Sequence, residues 1–247
     1  MTKPAQLPEY VSRLSFDDTF SFSCHKGVAC FTECCRMLEL ALTPYDALRL
    51  RRATGLTSQQ LLDDYIIVEQ DQGEPFPRFY LTMVDDGRAS CVFVSREGCT
   101  IYEHRPAACR AYPLGRAIMR QQDGRIEEHF VLMKEQHCQG FSEADIQDAG
   151  SYSLDQDLTT YNRFNDGVAV ILQHNSIRKG YIPSPTQIDQ FILALYNLDT
   201  FRELMQNGRL EGILLNNKDK ARLDDDEELL LFGIEWLQQQ LFEPNTL

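Results

Sequence analysis

The amino-acid sequence predicts an α+β fold, with a small irregular cysteine-rich part followed by a mainly α-helical C-terminal part. Two observations lead to this prediction. All eight cysteines of the 247-residue chain lie between residues 24 and 138, among short candidate helices and strands. From about residue 150 onward the apolar residues recur every three or four positions, which is the spacing of amphipathic helices.

Two helices with well-marked ends are predicted in the cysteine-rich part. In LTPYDALRLRRATG, Thr43 is placed to cap a helix, Pro44 takes its first position and Gly55 can end it. In TSQQLLDDYI, Thr57 and Gln60 have the spacing of a capping box, which predicts a second helix.

Strand patterns follow these helices. The segments RFYLTMV (78–84) and CVFV (91–94) indicate strands joined by a turn at DDGR (85–88). The segment IEEHFVLM (126–133) is a third candidate strand, and its glutamates and histidine are assigned to an exposed face. The cysteine-rich part is therefore expected to combine short elements with long loops that carry the ligands.

The C-terminal part has the clearer periodicity. Apolar residues predict one helix over 154–172 and another over 188–204, the second bracketed by Pro185 and Gly208. A last helix is predicted near 225–241, with acidic residues in its first turn, where they favour the helix dipole. These apolar stripes are assigned to the core.

The charge of the chain argues against two classes of partner. The formal net charge is −13, whereas nucleic acids and anionic membranes attract basic surfaces, so neither partner is expected. The sequence has no apolar run near the roughly 18 residues that a membrane helix needs. Its N-terminus also lacks the apolar core of a secretory signal, so a cytoplasmic location is expected.

The cysteines are the most informative residues of this sequence. Cytosolic thiols stay reduced, so eight of them indicate metal binding or catalysis in preference to disulfides. Thiolates hold zinc or iron–sulfur clusters, usually four at a time, so eight suffice for two sites or for one site with spare thiols. Structural disulfides in an oxidising compartment and scattered buried thiols are the alternatives. The candidate metal ligands are Cys24, Cys30, Cys34, Cys35, Cys91, Cys99, Cys109 and Cys138.

Half of these thiols lie in CHKGVACFTECC (24–35), where Cys34 and Cys35 are adjacent. Adjacent side chains diverge on a helix or a strand. The two thiols would therefore serve different sites, or one would bind while the other is buried or redox-active. The gaps match neither the paired cysteines of common zinc modules nor the usual ferredoxin run. Spacing alone predicts a thiolate metal site of an uncommon type.

Basic residues accumulate near the cysteines. Between Arg88 and Arg125 there are seven arginines and three acidic residues, a local charge of +4 in a chain of −13. Such arginines could balance an anionic thiolate site; a solvated basic patch or a site for an anionic substrate is the alternative. The arginines assigned to the cofactor are Arg36, Arg105 and Arg110. The histidines that could replace a thiolate, or lie behind the ligands or on the surface, are His25, His104 and His137.

The segments CHKGVACFTECCR and GCTIYEHRPAACRAYP (98–113), with Cys91 and Cys138, resemble the YkgJ-like cysteine-cluster family, a CxxCxxCC-type zinc- or iron-chelating family. The resemblance covers about residues 20–142. It implies metal binding through all eight cysteines, although the first gaps here are five and three residues where the family has two and two. We therefore expect a cysteine-cluster metal-binding domain at 15–142 and a helical region at 150–247.

The favoured function is an iron–sulfur protein, with a four-iron cluster and a role in electron transfer or redox catalysis. A structural zinc module that supports protein interactions is the alternative. Flagellin lysine methylases are similar in this module, so an accessory or catalytic part of a protein-modifying enzyme is a further one. The sequence has no recognisable loop for S-adenosylmethionine and no common catalytic motif, so catalytic residues stay unassigned. A redox or protein partner is expected to bind the helical C-terminal region.

Overall fold

The computed structural model of the chain describes residues 7–121, 123–210 and 222–242. These residues form two compact units, each assembled from separate stretches of chain. The first unit contains residues 7–38, 83–102 and 107–160; the second begins at residue 39 and contains 39–82, 103–106 and the described residues from 161 onward. The domain boundaries predicted from the sequence stay a prediction.

The predicted α+β class is confirmed, because small sheets accompany helices that are concentrated in the C-terminal part. The described strands are β1 (Val11–Leu14), β2 (Thr19–Ser21), β3 (Ile66–Glu69), β4 (Arg78–Leu81), β5 (Met83–Val84), β6 (Ser90–Cys91), β7 (Val94–Ser95), β8 (Gly98–Cys99), β9 (Leu114–Arg120), β10 (Ile126–Met133) and β11 (Ile146–Asp148). The described helices are α1 (Pro44–Thr54), α2 (Ser58–Tyr65), α3 (Ala107–Ala111), α4 (Ala149–Asp155), α5 (Leu158–Leu172), α6 (Asn175–Arg178), α7 (Pro185–Tyr196), α8 (Leu198–Gln206) and α9 (Asp226–Phe242). Short 3₁₀ turns lie at Glu33–Cys35, Tyr102–His104 and Gly140–Ser142.

The first unit is built on a three-stranded antiparallel sheet in the order β1–β10–β9, with β2 and β11 forming a separate pair. Its hydrophobic core contains Phe20, Phe22, Leu114, Leu132, Ala149 and Tyr152. Tyr112, Cys138 and Phe141 pack against this core. The core therefore reaches one of the predicted metal ligands.

The second unit combines the β3–β4 hairpin with α1, α2 and the helices from α5 onward. Aromatic rings stack in its interior: Tyr45 lies on Phe164 with ring centroids 4.2 Å apart, and Phe79 lies on Tyr196 at 3.5 Å. None of the described helices of the chain is both long and apolar enough to cross a membrane.

Several predicted elements are confirmed. Helix α1 begins at a capping box of Thr43 and Asp46 and ends at Gly55, and α2 begins at a capping box of Thr57 and Gln60. Strand β10 covers the predicted range 126–133, and its first four residues are exposed as expected. The last helix, α9, lies within one residue of the predicted range at each end.

Four predictions were wrong about continuity. The predicted helix 154–172 is two helices, α4 and α5, because Asp157 has a left-handed backbone (φ 55°) that interrupts the helical turn. The predicted helix 188–204 is also two, α7 and α8, separated by the non-helical Asn197 (φ −113°, ψ 59°). The predicted strand 78–84 is broken into β4 and β5. The predicted strand 91–94 is broken into β6 and β7. Periodicity persists across one or two non-helical residues, so it does not reveal such a break.

Candidate metal centre

All eight cysteines belong to the first unit, and none of the eight forms a disulfide. They come from different local structures, since Cys34 and Cys35 lie in a 3₁₀ turn, Cys91 and Cys99 in strands and Cys109 in helix α3. The exposed cysteines are Cys24, Cys34 and Cys109, and the half-buried ones are Cys30, Cys35, Cys91, Cys99 and Cys138. The thiols are thus accessible from the surface without being fully solvated.

Four thiols form the hairpin group, defined here as Cys34, Cys35, Cys91 and Cys99. An antiparallel backbone bridge joins Arg36 to Ser90, which brings the neighbouring residues Cys35 and Cys91 close together. Cys99 pairs with Val94 in the β7–β8 hairpin that follows Cys91. The fold therefore gathers thiols that are separated by as many as 65 positions in the sequence (34 to 99).

Electrostatic interactions link the members of the hairpin group. A hydrogen bond with Cys35 raises the pKa of Cys34. Burial raises the pKa of Cys91, and the charges of Cys99 and Cys34 raise it further. The neutral thiol is therefore favoured at Cys34 and Cys91, and a nearby cation would favour their thiolate forms.

The backbone around the hairpin group is strained. Thr32 (φ 71°), Met37 (φ 51°) and Ala89 (φ 44°) have left-handed conformations that residues with a side chain rarely adopt. Thr32 and Met37 flank the turn that carries Cys34 and Cys35, and Ala89 precedes the strand that carries Cys91. Strain of this kind is concentrated at functional sites, where the surrounding structure maintains it.

A second set of thiols, the core pair, consists of Cys30 and Cys138. The backbone N–H of Gln139 donates a hydrogen bond to Cys30 Sγ at 3.2 Å. Burial raises the pKa of Cys138. The nearby Tyr112 hydroxyl and the Gly140 amide act to lower this pKa, and Cys30 acts to raise it. The core pair thus joins the N-terminal cysteine loop to the loop after β10.

Backbone amides are directed at cysteine sulfurs in both sets. The amides of Phe93 and Val94 act to lower the pKa of Cys91, although burial has the larger, opposite effect. The Gly140 amide acts in the same direction on the pKa of Cys138. Hydrogen bonds of this kind favour the thiolate over the thiol and support metal-bound sulfur. The donor chemistry of these residues therefore fits a thiolate-bound metal.

The thiols do not form a finished metal site. Within residues 7–121, 123–210 and 222–242, no three side chains of His, Cys, Asp or Glu lie in an arrangement that could hold a metal ion. The thiols instead interact two at a time, as Cys34 does with Cys35 and Cys30 with Cys138.

The predicted arginines have different surroundings. Arg36 donates from Nη1 to the Thr32 carbonyl at 3.1 Å, beside the hairpin group, and its buried Nε has no hydrogen-bond partner among the described residues. Arg110 is 4% exposed and donates from Nη1 to the Gln156 carbonyl at 3.0 Å. Arg105 belongs to the second unit, where it is buried and its carbonyl accepts from the Tyr161 hydroxyl at 3.1 Å. A role of these arginines toward a cofactor stays a prediction.

The predicted histidines each have a polar contact. His25 lies 3.3 Å from a carboxylate oxygen of Glu143, and His137 lies 3.8 Å from Glu135. His104, in the second unit, accepts from Arg49 Nε at 3.2 Å. These contacts are those of surface and supporting residues, and replacement of a thiolate by imidazole stays a prediction.

Two side chains near the core pair were not singled out from the sequence. Tyr112 interacts with the Cys138 thiol, and Glu135 interacts with the Tyr112 hydroxyl. Tyr112 lies inside the segment GCTIYEHRPAACRAYP, so its motif was visible, but nothing in the sequence indicates that it meets a cysteine 26 positions later.

Thiols, amides directed at sulfur and strained turns thus occur together in the first unit. Residues 23–139 match the model of the CxxCxxCC family, described as "Putative zinc- or iron-chelating domain". Residues 23–139 are therefore a domain of this type, for which YkgJ-like is a fair name, and the rest of the chain lies outside the match. No curated protein and no solved structure matches the chain. The family match supports metal binding, with zinc and iron both named.

Proposed function

We propose that the protein holds an iron–sulfur cluster through thiolates of its first unit and that it has a redox or electron-transfer role. The observation that carries the proposal is the set of N–H groups directed at the sulfurs of Cys30, Cys91 and Cys138. Such donors reduce the negative charge on sulfur, which is one of the means by which proteins set cluster potentials. When bound, a cluster would supply one-electron chemistry.

The charge near the thiols also supports a cluster. The surplus of arginine between Arg88 and Arg125 gives this stretch a positive charge, while the whole chain is acidic. Arg36 lies beside the hairpin group, and Arg88 is held there by an ion pair with Glu33 at 2.7 Å. These cations favour an anionic thiolate centre.

Zinc is the second candidate, because the family description names zinc as well as iron. A zinc module would stabilise the loops of the first unit without redox chemistry, as structural zinc sites do. Both candidates use the same thiols, so the identity of the metal separates them.

Anaerobic purification of the full chain, followed by analysis of iron, acid-labile sulfide and zinc, tests the proposal. We expect iron and sulfide in comparable amounts and an absorption band at about 400 nm that bleaches on reduction. Zinc in a colourless protein would favour the second candidate. The absence of both metals from the anaerobic protein would contradict metal binding altogether.

A cysteine variant links the bound metal to the predicted ligands. Cys91→Ser removes one half-buried sulfur of the hairpin group and is expected to lower the metal content per chain. Ser95→Ala, in the next strand, removes a hydroxyl that donates to the Gly98 carbonyl at 2.8 Å and serves as the matched control. Equal metal content in Cys91→Ser and wild type would remove Cys91 from the ligand set.

A further inference from the structure

Tyr112 lies between α3 and β9 in the first unit, and its position is fixed from several sides. Its N–H donates to the Ala108 carbonyl at 3.2 Å, and its carbonyl accepts from the Tyr152 hydroxyl. Its ring meets Phe22 edge-on, with centroids 6.1 Å apart. Both Tyr112 and Cys138 pack against the same hydrophobic core. The direction of the Tyr112 hydroxyl is therefore set by packing.

This hydroxyl is buried and has no hydrogen bond of good geometry among the described residues. Its interacting polar neighbours are the Cys138 thiol and the Glu135 carboxylate. A buried hydroxyl without a partner costs free energy, so native structures contain few such groups. The arrangement suggests that its partner is a group whose accepting strength changes.

Cys138 is a group of this kind. A neutral thiol is a weak acceptor, whereas a thiolate is a charged one and forms stronger hydrogen bonds. The Gly140 amide is directed at the same sulfur, and the adjacent Gln139 amide donates to Cys30 Sγ. Donors thus surround the core pair as they would surround sulfurs bound to a metal.

Glu135 is the other possible acceptor. Its carboxylate lies 3.8 Å from His137, so it already has a cationic partner available when that histidine is protonated. Of the two neighbours, Cys138 interacts more strongly with the Tyr112 hydroxyl than Glu135 does. The sulfur is therefore the favoured partner.

We propose that Tyr112 is a positioning residue that donates its hydroxyl hydrogen bond to the Cys138 thiolate once a metal is bound. The inference rests on the proposed function of the thiols as metal ligands. Donors of this type orient the ligand and withdraw electron density from sulfur, and their loss typically weakens metal binding about 10- to 100-fold. Tyr112 would accordingly set both the affinity of the site and the electronic state of its sulfur.

The test uses the full-length chain, cobalt(II) as the probe and Tyr112→Phe as the variant. We expect Tyr112→Phe to bind cobalt about 10- to 100-fold more weakly and to shift the sulfur-to-cobalt charge-transfer band to longer wavelength. Tyr10→Phe, at an exposed tyrosine of the same unit, is the matched control and should behave as wild type. Metal-free Tyr112→Phe should unfold at the same urea concentration as wild type or higher, because the hydroxyl has no hydrogen bond to lose.

The outcomes separate this inference from the function on which it rests. A wild-type protein without any cobalt–thiolate band overturns the proposed function, and the role of Tyr112 with it. A wild-type band that Tyr112→Phe leaves unchanged in position and affinity overturns the role of Tyr112 alone. Loss of stability in the metal-free variant, with the band unmoved, would assign the hydroxyl a purely structural role and is equally a refutation.

Discussion

The two units of the chain are stabilised in different ways. In the second unit, α7 alone buries Phe191, Ala194, Leu195 and Tyr196. In the first unit, Val28 is the one buried residue within 23–38, the segment that carries half of the cysteines. Hydrophobic burial therefore explains the conformation of the second unit and does not explain that of the cysteine segment.

Short-range polar contacts and strained turns hold the cysteine segment instead. Glu33 pairs with Arg88, and Met37 donates its N–H to the carbonyls of Arg88 and Ala89 at 3.2 and 3.1 Å. Exposed ion pairs of this kind contribute little stability. The cysteine segment therefore has little hydrophobic burial to stabilise it, and a bound metal would add stability there.

Metal removal should have the largest effect of the changes considered, because binding of a structural metal such as zinc can contribute on the order of 10 kcal/mol to folding. We expect a chelator to increase amide hydrogen exchange across residues 24–38 and 83–102 of the full-length protein. The second unit should be unaffected, and Trp236, the single tryptophan, which is buried in α9, reports on it by fluorescence. Unchanged hydrogen exchange in 24–38 after complete metal removal would show that a bound metal does not stabilise the cysteine segment.

Truncation of the aromatic core should have the next largest effect and should act on the second unit. Phe79 is 2% exposed and stacks on Tyr196, so Phe79→Ala is expected to lower the free energy of unfolding by about 3–5 kcal/mol. Urea unfolding followed by Trp236 fluorescence measures this loss.

Ile67→Ala is the control for this truncation, because Ile67 lies in the paired strand β3 but is 47% exposed. It should change the unfolding midpoint little. Metal content should stay at the wild-type value in both variants, and a loss of metal in Phe79→Ala would show that the thiol site depends on the second unit's core.

The sequence predicted the locally encoded features of both units. The capping boxes of α1 and α2 and the range of β10 follow from residues close together in the chain. The gathering of the hairpin group could not be predicted in this way, since it depends on the bridge from Arg36 to Ser90, two residues separated by 54 positions. The sequence identified the thiols as candidate ligands but did not indicate their division into two sets.

A substitution at Gly140 should have a smaller effect, confined to the first unit. A Cβ at this position would lie 2.7 Å from both the Phe22 ring and the Ser23 carbonyl oxygen. Gly140→Ala should therefore force the loop away from the core and cost about 1–3 kcal/mol. Since the Gly140 amide is directed at Cys138, the variant should also bind metal more weakly.

Gly167→Ala provides the contrast in the second unit. Its nearest neighbour would be the flexible end of Ile234 at 3.4 Å, and alanine is the better helix former, so α5 should be unchanged or more stable. Hydrogen exchange of β10 and Trp236 fluorescence report on the two units separately. Equal behaviour of the two variants would mean that the close approach at Gly140 is of no consequence.

The smallest predicted effect concerns the charge network of the second unit. Asp199 contacts Arg51 at 2.8 Å and Arg202 at 3.2 Å, and it accepts from the Ser58 N–H at 2.7 Å. Burial acts to raise the pKa of Asp199, but the Ser58 hydrogen bonds and the two arginines outweigh it and lower the pKa. The ionised form is therefore favoured in the folded protein.

A lowered pKa fixes the sign of the pH dependence. The contribution of Asp199 is fully present above its unfolded pKa of 3.8 and is lost as the pH falls through the lower folded value. Asp199→Asn should destabilise the second unit by about 1 kcal/mol at neutral pH, and this difference from wild type should shrink below about pH 4. Urea titrations followed by Trp236 fluorescence at several pH values measure it. Asp189→Asn, at an exposed position of α7, is the control and should follow wild type at every pH. The difference between Asp199→Asn and wild type could instead stay constant down to pH values below the folded pKa. That result would show that the charge of Asp199 does not stabilise the second unit.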